Sequence, residues 1–302
     1  MVSVGIDVGG TGVKGVRLGD DRAVVEQAER PTAADDPNAL VATIIAQARQ
    51  LGAAPGIPLG IAVAAFLDPA RRVVQFSPNI SWSNRPLADE VEQALGVPVV
   101  LENDANAACF GEYRQGAGRG AHTLAMFTLG TGVGGAIMES GRLLVGSSGI
   151  AGELGHIPSV ANGRRCGCGL FGCLETIASG TAIVGRVREL TGRLEASSDE
   201  VTELLRADSG LRTDVLTGVA DALANAIVTL RAVVNPDTVI IGGGVMDRSG
   251  EALLSVITEG VANRLSEAFY PAVPTVVAAT LGNRAGAIGA ALLAADQTSP
   301  TL

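Results

Sequence analysis

Val2-Ser3-Val4-Gly5-Ile6-Asp7-Val8-Gly9-Gly10-Thr11-Gly12-Val13-Lys14-Gly15-Val16-Arg17-Leu18 opens the chain and decides how the rest is read. Val2, Val4, Ile6 and Val8 form a short apolar strand around Asp7, and Val13 to Leu18 forms a second after a glycine-rich break. Gly9-Gly10-Thr11-Gly12 is a tight turn between them, so the stretch predicts a β-hairpin. Asp7 is the anomaly, because a charge within an apolar strand needs a partner. A magnesium ion held through water satisfies that need, and so do the backbone N–H groups of the aspartate's own turn.

The pattern returns in the second half of the chain. Thr123 to Leu129 runs into a glycine turn and continues through Val133 to Met138, so that Gly10-Thr11-Gly12-Val13-x-Gly15 matches Gly130-Thr131-Gly132-Val133-x-Gly135. Such self-similarity predicts two related halves. Backbone N–H groups in a glycine turn approach a phosphate unobstructed, and Thr11 and Thr131 add hydroxyl donors. Either loop alone is weak evidence; the pair points to phosphate binding.

Between the hairpins, Pro37 to Leu51 and Leu87 to Leu95 carry apolar residues at helical spacing, while Leu59 to Ala65 and Val97 to Leu101 read as buried strands. Beyond them, Thr181 to Leu190, Val215 to Val234, Glu251 to Leu265 and Ala285 to Ala294 read as helices. Thr238 to Ile241 is a strand running into Gly242-Gly243-Gly244 and a helix start, an arrangement suited to a nucleotide.

With 302 residues the chain has room for two domains, and its composition is that of an ordinary α/β protein. The net charge of −9, with no cluster of Lys and Arg, argues against a nucleic-acid surface. No membrane role is expected: the longest uncharged apolar run, Ile57 to Leu67, is too short to span and is broken by Pro58 and Gly60. Asp7 and its glycines stand where the apolar core of a signal peptide would be, so a cytoplasmic protein with reduced thiols is expected.

Chemistry is concentrated between Glu153 and Glu175. His156, Cys166, Cys168 and Cys173 amount to one complete tetrahedral zinc set, with glycines at 167, 169 and 172 to fold the backbone around it. A closed four-ligand site is structural rather than hydrolytic. The bland alternative is small buried residues in a glycine-rich loop; clustering of free cysteines favours the metal. Glu153, His156 and Glu175 flank this loop, and carboxylates and amides converging on one site suit a polyhydroxylated ligand, with Asn79, Asn103 and Asp104 as additions. The segment Leu101-Glu102-Asn103-Asp104-Ala105-Asn106-Ala107-Ala108 follows a strand and opens a helix. Asn103 or Asp104 caps that helix on one reading; on the other, Asp104 is a general base at the carboxyl end of a sheet strand, accepting the proton of an attacking hydroxyl.

These motifs together resemble the ROK family of sugar kinases and repressors, and within it the glucokinase-like members. Asp7-Val8-Gly9-Gly10-Thr11 and Leu129 to Gly135 look like the family's two phosphate motifs, and Glu102 to Ala108 like its catalytic segment. Gly152 to His156 and Cys166 to Glu175 are similar to its sugar and zinc signature, and Ser77-Pro78-Asn79-Ile80-Ser81-Trp82 to a stretch before the catalytic segment. The resemblance implies an α/β, actin-like ATPase (ribonuclease-H-like) fold with two domains flanking an active-site cleft. They would be an amino-terminal domain over 1–115 and a larger one over 116–302 that holds the zinc loop 156–173, with residues near 285–302 packing back onto the first.

It further implies ATP-dependent phosphorylation of a hexose 6-hydroxyl, with Asp104 as general base. Asn79, Asn103, Asp104, Glu153, His156 and Glu175 would hold the sugar. Asp7, Gly9, Gly10, Thr11, Lys14, Gly130, Thr131 and Gly132 would serve ATP phosphates and Mg2+, and Gly243 and Gly244 the adenosine. His156, Cys166, Cys168 and Cys173 would hold a structural Zn2+. Relatives are commonly homodimers or homotetramers.

Glucose is the expected sugar, ahead of N-acetylglucosamine, N-acetylmannosamine and fructose. Two departures from the family pattern bear on this: Ala65 stands where many relatives carry glycine in the sugar loop, and Ala136 replaces another common glycine. No basic run would track polyphosphate in place of ATP. Family repressors carry a DNA-binding segment before the first strand, and here that strand begins near Met1. A silent sugar-sensing module is disfavoured by Asp7, Asp104 and the two phosphate loops.

Overall fold

The computed structural model describes residues 1–265 and 272–298. In chain order, strands β1 (Ser3–Val8), β2 (Gly12–Leu18) and β3 (Val24–Pro31) are followed by helix α1 (Pro37–Gln50). Strands β4 (Leu59–Val63), β5 (Phe66–Leu67), β6 (Val74–Phe76) and β7 (Ser83–Arg85) precede helix α2 (Leu87–Leu95), strand β8 (Val99–Asn103) and helix α3 (Asp104–Gln115). Strands β9 (Thr123–Leu129), β10 (Val133–Glu139) and β11 (Arg142–Leu143) lead to helices α4 (Glu175–Ala178), α5 (Gly180–Thr191), α6 (Ser198–Ala207) and α7 (Ser209–Val233). Strand β12 (Thr238–Gly242), helix α8 (Gly244–Ala262), strand β13 (Thr275–Ala278) and helix α9 (Ala285–Thr298) complete it.

The chain separates into two compact units. One comprises Met1–Gly120, Ala136–Gly152 and the chain from Thr280; the other comprises Ala121–Gly135 and Glu153–Ala279. Of the terminal segment 285–302, residues 299–302 lie outside the described residues.

The first unit is built on a sheet of order β3-β2-β1-β4-β8. β1 runs antiparallel to β2, which sets Asp7 opposite Lys14, and parallel to β4, which runs parallel to β8. The carboxyl ends of β1, β4 and β8 therefore share one edge, where ligands of open α/β sheets bind. Leu40, Val41 and Ile44 of α1 and Leu87 and Val91 of α2 bury the apolar stripe expected of them, against Ile6, Ile61 and Leu101.

The other face takes α9, and here glycine decides the packing. A Cβ added to Gly5 on β1 would lie 1.9 Å from the Ala287 carbonyl oxygen, and one on Gly60 of β4 would lie 1.9 Å from that of Ala290. Only strands without side chains at these points let the helix backbone approach so closely. Glu112 of α3, fully buried, anchors the start of this helical segment: its carboxylate accepts from the N–H groups of Ala117, Thr280 and Leu281 at 2.7–2.8 Å. A buried charge is tolerable when several donors replace its water.

The second sheet has order β11-β10-β9-β12-β13, with β12 parallel to both β9 and β13. Among the described residues, α7 is long and apolar enough to cross a membrane by composition alone. Val219, Leu223, Ile227 and Leu230 are nevertheless buried within the protein, the pattern of a core helix. α8 begins at Gly244, about two turns before the predicted Glu251, and Gly250 breaks it with φ 60°.

Candidate active site

β8 ends at Asn103 because its side chain turns the chain into α3. Asn103 Oδ1 accepts from the Ala105 and Asn106 N–H groups at 2.9 and 3.1 Å, so Asn103 is the helix cap. Its Nδ2 donates to the Ala65 carbonyl at 3.3 Å, which leaves a second Nδ2 hydrogen for a ligand. Ala65 thus meets the Asn103 side chain through its carbonyl. Asp104, the first residue of α3, accepts from the Ala105 N–H at 2.9 Å, and burial raises its carboxyl above the usual range. The side-chain cap of α3 is therefore Asn103 and not Asp104.

Asp7 lies beside Asp104 at the same sheet edge. Burial, then the Asp104 charge, push its pKa up to about 7 against the opposing pull of Lys14. Two crowded, partly desolvated carboxylates with one lysine are a setting in which a hard divalent cation relieves repulsion. Gly286, in the first turn of α9, makes room for this carboxylate, since a Cβ there would sit 2.7 Å from Asp7 Oδ2.

The first glycine loop closes by the Gly9 N–H donating to the Gly12 carbonyl at 3.0 Å, with Thr32 Oγ1 bracing the Gly9 carbonyl at 2.7 Å. Thr11 is exposed at its tip. Asn79 stands beside it, its Cβ 3.2 Å from where a Gly10 Cβ would be. Its segment is pinned by Ser77 Oγ, which donates to the Ala64 carbonyl at 2.8 Å, and by Trp82 Nε1, which donates to that of Pro37 at 3.3 Å. A hollow of about 540 Å³ opens there, lined by Asp35, Phe76, Asn79 and Trp82 among others.

In the second unit the matching loop closes differently, Gly130 N–H donating to the Gly132 carbonyl at 2.9 Å. The Gly180 N–H at the start of α5 holds the Gly130 carbonyl, and Thr181 Oγ1 holds that of Thr131, both at 2.8 Å. Thr131 is exposed. Gly243, with φ 88°, caps α8 against the backbone of Leu129, where a Cβ would meet the carbonyl oxygen at 2.6 Å. That setting brings Gly243 and Gly244 alongside the end of β9.

His156, Cys166, Cys168 and Cys173 converge, their ligand atoms all within 4.8 Å of one another. Cys166 Sγ is 3.6 Å from His156 Nδ1, and Cys168 Sγ is 3.7 Å from Cys173 Sγ. Ligands bonded to one tetrahedral zinc stand roughly 3.5–3.8 Å apart, so the donor set fits that ion. Gly172, with φ 72°, folds the loop so tightly that a Cβ would lie 1.9 Å from the Val160 carbonyl oxygen.

This loop is fastened to the second glycine loop. A Cβ on Gly155 would be 2.0 Å from the Val133 carbonyl oxygen, and Glu175 Oε2 accepts from the Val133 N–H at 3.0 Å while its Oε1 lies 3.6 Å from Cys166 Sγ. The Glu153 carbonyl accepts from the His156 N–H at 3.1 Å. Sequence reasoning overlooked Glu102 and Gly286. Glu102 carried the signal that drew attention to Asp7, a charge ending the apolar run Val99-Val100-Leu101; Gly286 carried none.

The profile of the ROK family matches residues 3–297. The chain is 34% identical over 317 residues to a glucokinase of Streptomyces coelicolor, covering 98% of both. It is 36% identical over 306 residues to a glucokinase of Thermotoga maritima, covering 95% of both. Among solved structures it is similar to a ROK family glucokinase from Streptomyces griseus in complex with glucose and AMPPNP, with a TM-score of 0.84, 35% identity, and 98% and 100% of the two chains covered. Both glycine loops, the capped β8–α3 junction and the His/Cys cluster lie within the matched span: this chain belongs to the ROK family and has its actin-like ATPase fold.

Proposed function

We propose that the protein is an ATP-dependent hexose kinase whose principal substrate is glucose, phosphorylated at the 6-hydroxyl. The observation that carries the reading is Asp104: it opens α3 at the sheet edge, it is not spent as the helix cap, and its raised affinity for a proton suits a general base. Similarity to glucokinases along nearly the whole chain supports the substrate class.

In this reading Asp104 takes the proton of the 6-hydroxyl as that oxygen attacks the γ-phosphorus. Asn103 spends its Oδ1 on the cap and offers its remaining amide hydrogen to a sugar hydroxyl. Asn79, Glu153, His156 and Glu175 complete the proposed sugar ligands. Gly9, Gly10, Thr11 and Lys14, with Gly130, Thr131 and Gly132, are proposed for the phosphates, and Gly243 and Gly244 for the adenosine. Asp7 would hold Mg2+, which when bound neutralises phosphate charge. His156, Cys166, Cys168 and Cys173 would hold Zn2+, which supplies loop structure and no chemistry.

A coupled assay over glucose, mannose, N-acetylglucosamine, N-acetylmannosamine and fructose, with ATP and with polyphosphate, tests the substrate. Asp104→Asn is expected to bind glucose and to lose roughly 100- to 10,000-fold in kcat, the usual worth of a general base; near-native turnover would remove Asp104 from the role. A cytoplasmic location and assembly as a homodimer or homotetramer belong to the same reading, checked by fractionation and light scattering.

A further inference from the structure

Arg71 lies close to the catalytic segment and has no part in the reading above. It sits in a turn that Asp68 closes: Asp68 Oδ1 accepts from the Arg72 and Val73 N–H groups, both at 2.7 Å, and the Asp68 carbonyl accepts from the Arg71 N–H at 2.9 Å. This places Arg71 at φ 56°, in the left-handed region where glycine is the ordinary occupant. Its neighbour Arg72 extends outward onto Asp89 and Glu92. Arg71 instead folds back, with only 17% of its side chain exposed, and brings Nη2 to 3.4 Å from Glu102 Oε1.

Glu102 is the residue before the Asn103 cap, its side chain 10% exposed. Its Oε1 also accepts from the Asn103 N–H at 2.8 Å and from Asn106 Nδ2 at 2.9 Å. One carboxylate oxygen thus holds the last residue of β8 and the first turn of α3, on either side of Asp104. On the guanidinium's other side, a Cβ at Gly149 would lie 3.8 Å from Arg71 Nη1 and 3.6 Å from the Leu67 carbonyl oxygen. The Asp68 turn, the end of β8 and the Gly149 loop therefore meet at one cation. Nη2 is buried without a hydrogen-bond acceptor in good geometry, so its interaction with Glu102 is chiefly charge on charge.

We infer that Arg71 is a positioning residue for phosphoryl transfer to the sugar. Its charge faces that of Glu102 and holds this carboxylate in place on Asn103 and Asn106, and it ties the loop after Ala65 to the same junction. A carboxylate left buried without its cation is destabilised where it stands, and swinging toward water would release the junction. The inference rests on the hexose-kinase reading and adds to it a residue that touches no substrate.

The test is a double-mutant cycle of Arg71→Gln and Glu102→Gln, with Arg71→Lys as the conservative variant, reading kcat, KM for each substrate and melting temperature. Arg71→Gln is expected to lower kcat/KM for glucose about 10- to 100-fold, the cost of a misplaced reacting group, with KM for ATP unchanged. Arg71→Lys restores the charge and recovers part of the loss. In the Glu102→Gln background, where the carboxylate charge is gone, Arg71→Gln costs little more. Losses that multiply independently in the double variant, or a glucose kcat/KM that stays native in folded Arg71→Gln, overturn the inference and leave the kinase reading standing. Wild-type protein that phosphorylates no hexose overturns the kinase reading itself, and is scored before any variant.

Discussion

Gly60→Ala puts the packing of α9 to its sharpest test. A methyl on Gly60 would lie 1.9 Å from the Ala290 carbonyl oxygen and 2.4 Å from its carbon, whereas ordinary contact begins at 3.4 Å. The obstacle is backbone, so helix and strand must separate by about 1.5 Å or the strand must buckle. The helix is not free to lift, because its far side is equally close to α3: a Cβ on Gly289 would be 1.7 Å from the Ala107 carbonyl oxygen. Overpacking a rigid interior costs about 1–3 kcal/mol, and this case belongs near 3 kcal/mol. At roughly 2–4 °C per kcal/mol for a domain of this size, the first unit should melt roughly 6–12 °C lower. Gly218→Ala is the control: exposed on α7 with nothing within 4 Å of the added methyl, it should stabilise by about 0.5–1 kcal/mol through helix propensity. Scanning calorimetry of the two variants should give shifts of opposite sign. A Gly60→Ala protein melting within about 1 °C of wild type, on the scale set by these magnitudes, would refute the close approach of α9 to the sheet. Because Gly286 at the head of α9 accommodates Asp7, the same displacement should lower kcat even where the variant is folded.

Asp7 predicts a pH signature. Its folded pKa of about 7 lies above the ordinary aspartate value of 3.8, so the unfolded chain ionises first; stability from this group is intact below pH 3.8 and is lost as pH rises through about 7. Asp7→Asn should therefore gain stability relative to wild type across that window, by at most about 4 kcal/mol, in urea titrations from pH 4 to 8; a constant difference between the two proteins would contradict the shift. For the metal, chelation should lower melting temperature and turnover together, and Cys168→Ser should do so without a chelator. Freshly purified active protein free of zinc would remove the metal from the account.

Much of the candidate site was legible because it is local. The glycine loops, a helix cap at Asn103 or Asp104, and the His156 and cysteine spacing each lie within a short stretch, where turn geometry and ligand chemistry leave few options. The edge strands were harder to read. β3 carries Glu26, Gln27, Glu29 and Arg30 on an open edge where most residues are exposed, so no apolar alternation marks it. β5, β6 and β7 are two or three residues each, too short for a period to register. Glu175 was read as a sugar ligand from its place beside the cysteine loop; that its carboxylate also reaches the Val133 N–H is a contact 42 residues apart in sequence.

By itself the sequence determined the paired hairpins, the capped junction carrying Asp104 and the grouping of His156 with three cysteines, since each follows from residues near one another in the chain. Tertiary structure alone decided that Gly5 and Gly60 are the floor on which α9 lies, that Gly286 gives Asp7 its space, and that Arg71 turns back onto Glu102. Those facts arise from which backbones approach one another across the fold. A glycine or an arginine does not announce that approach in its neighbours, because close packing is set by the partner surface and not by the local period.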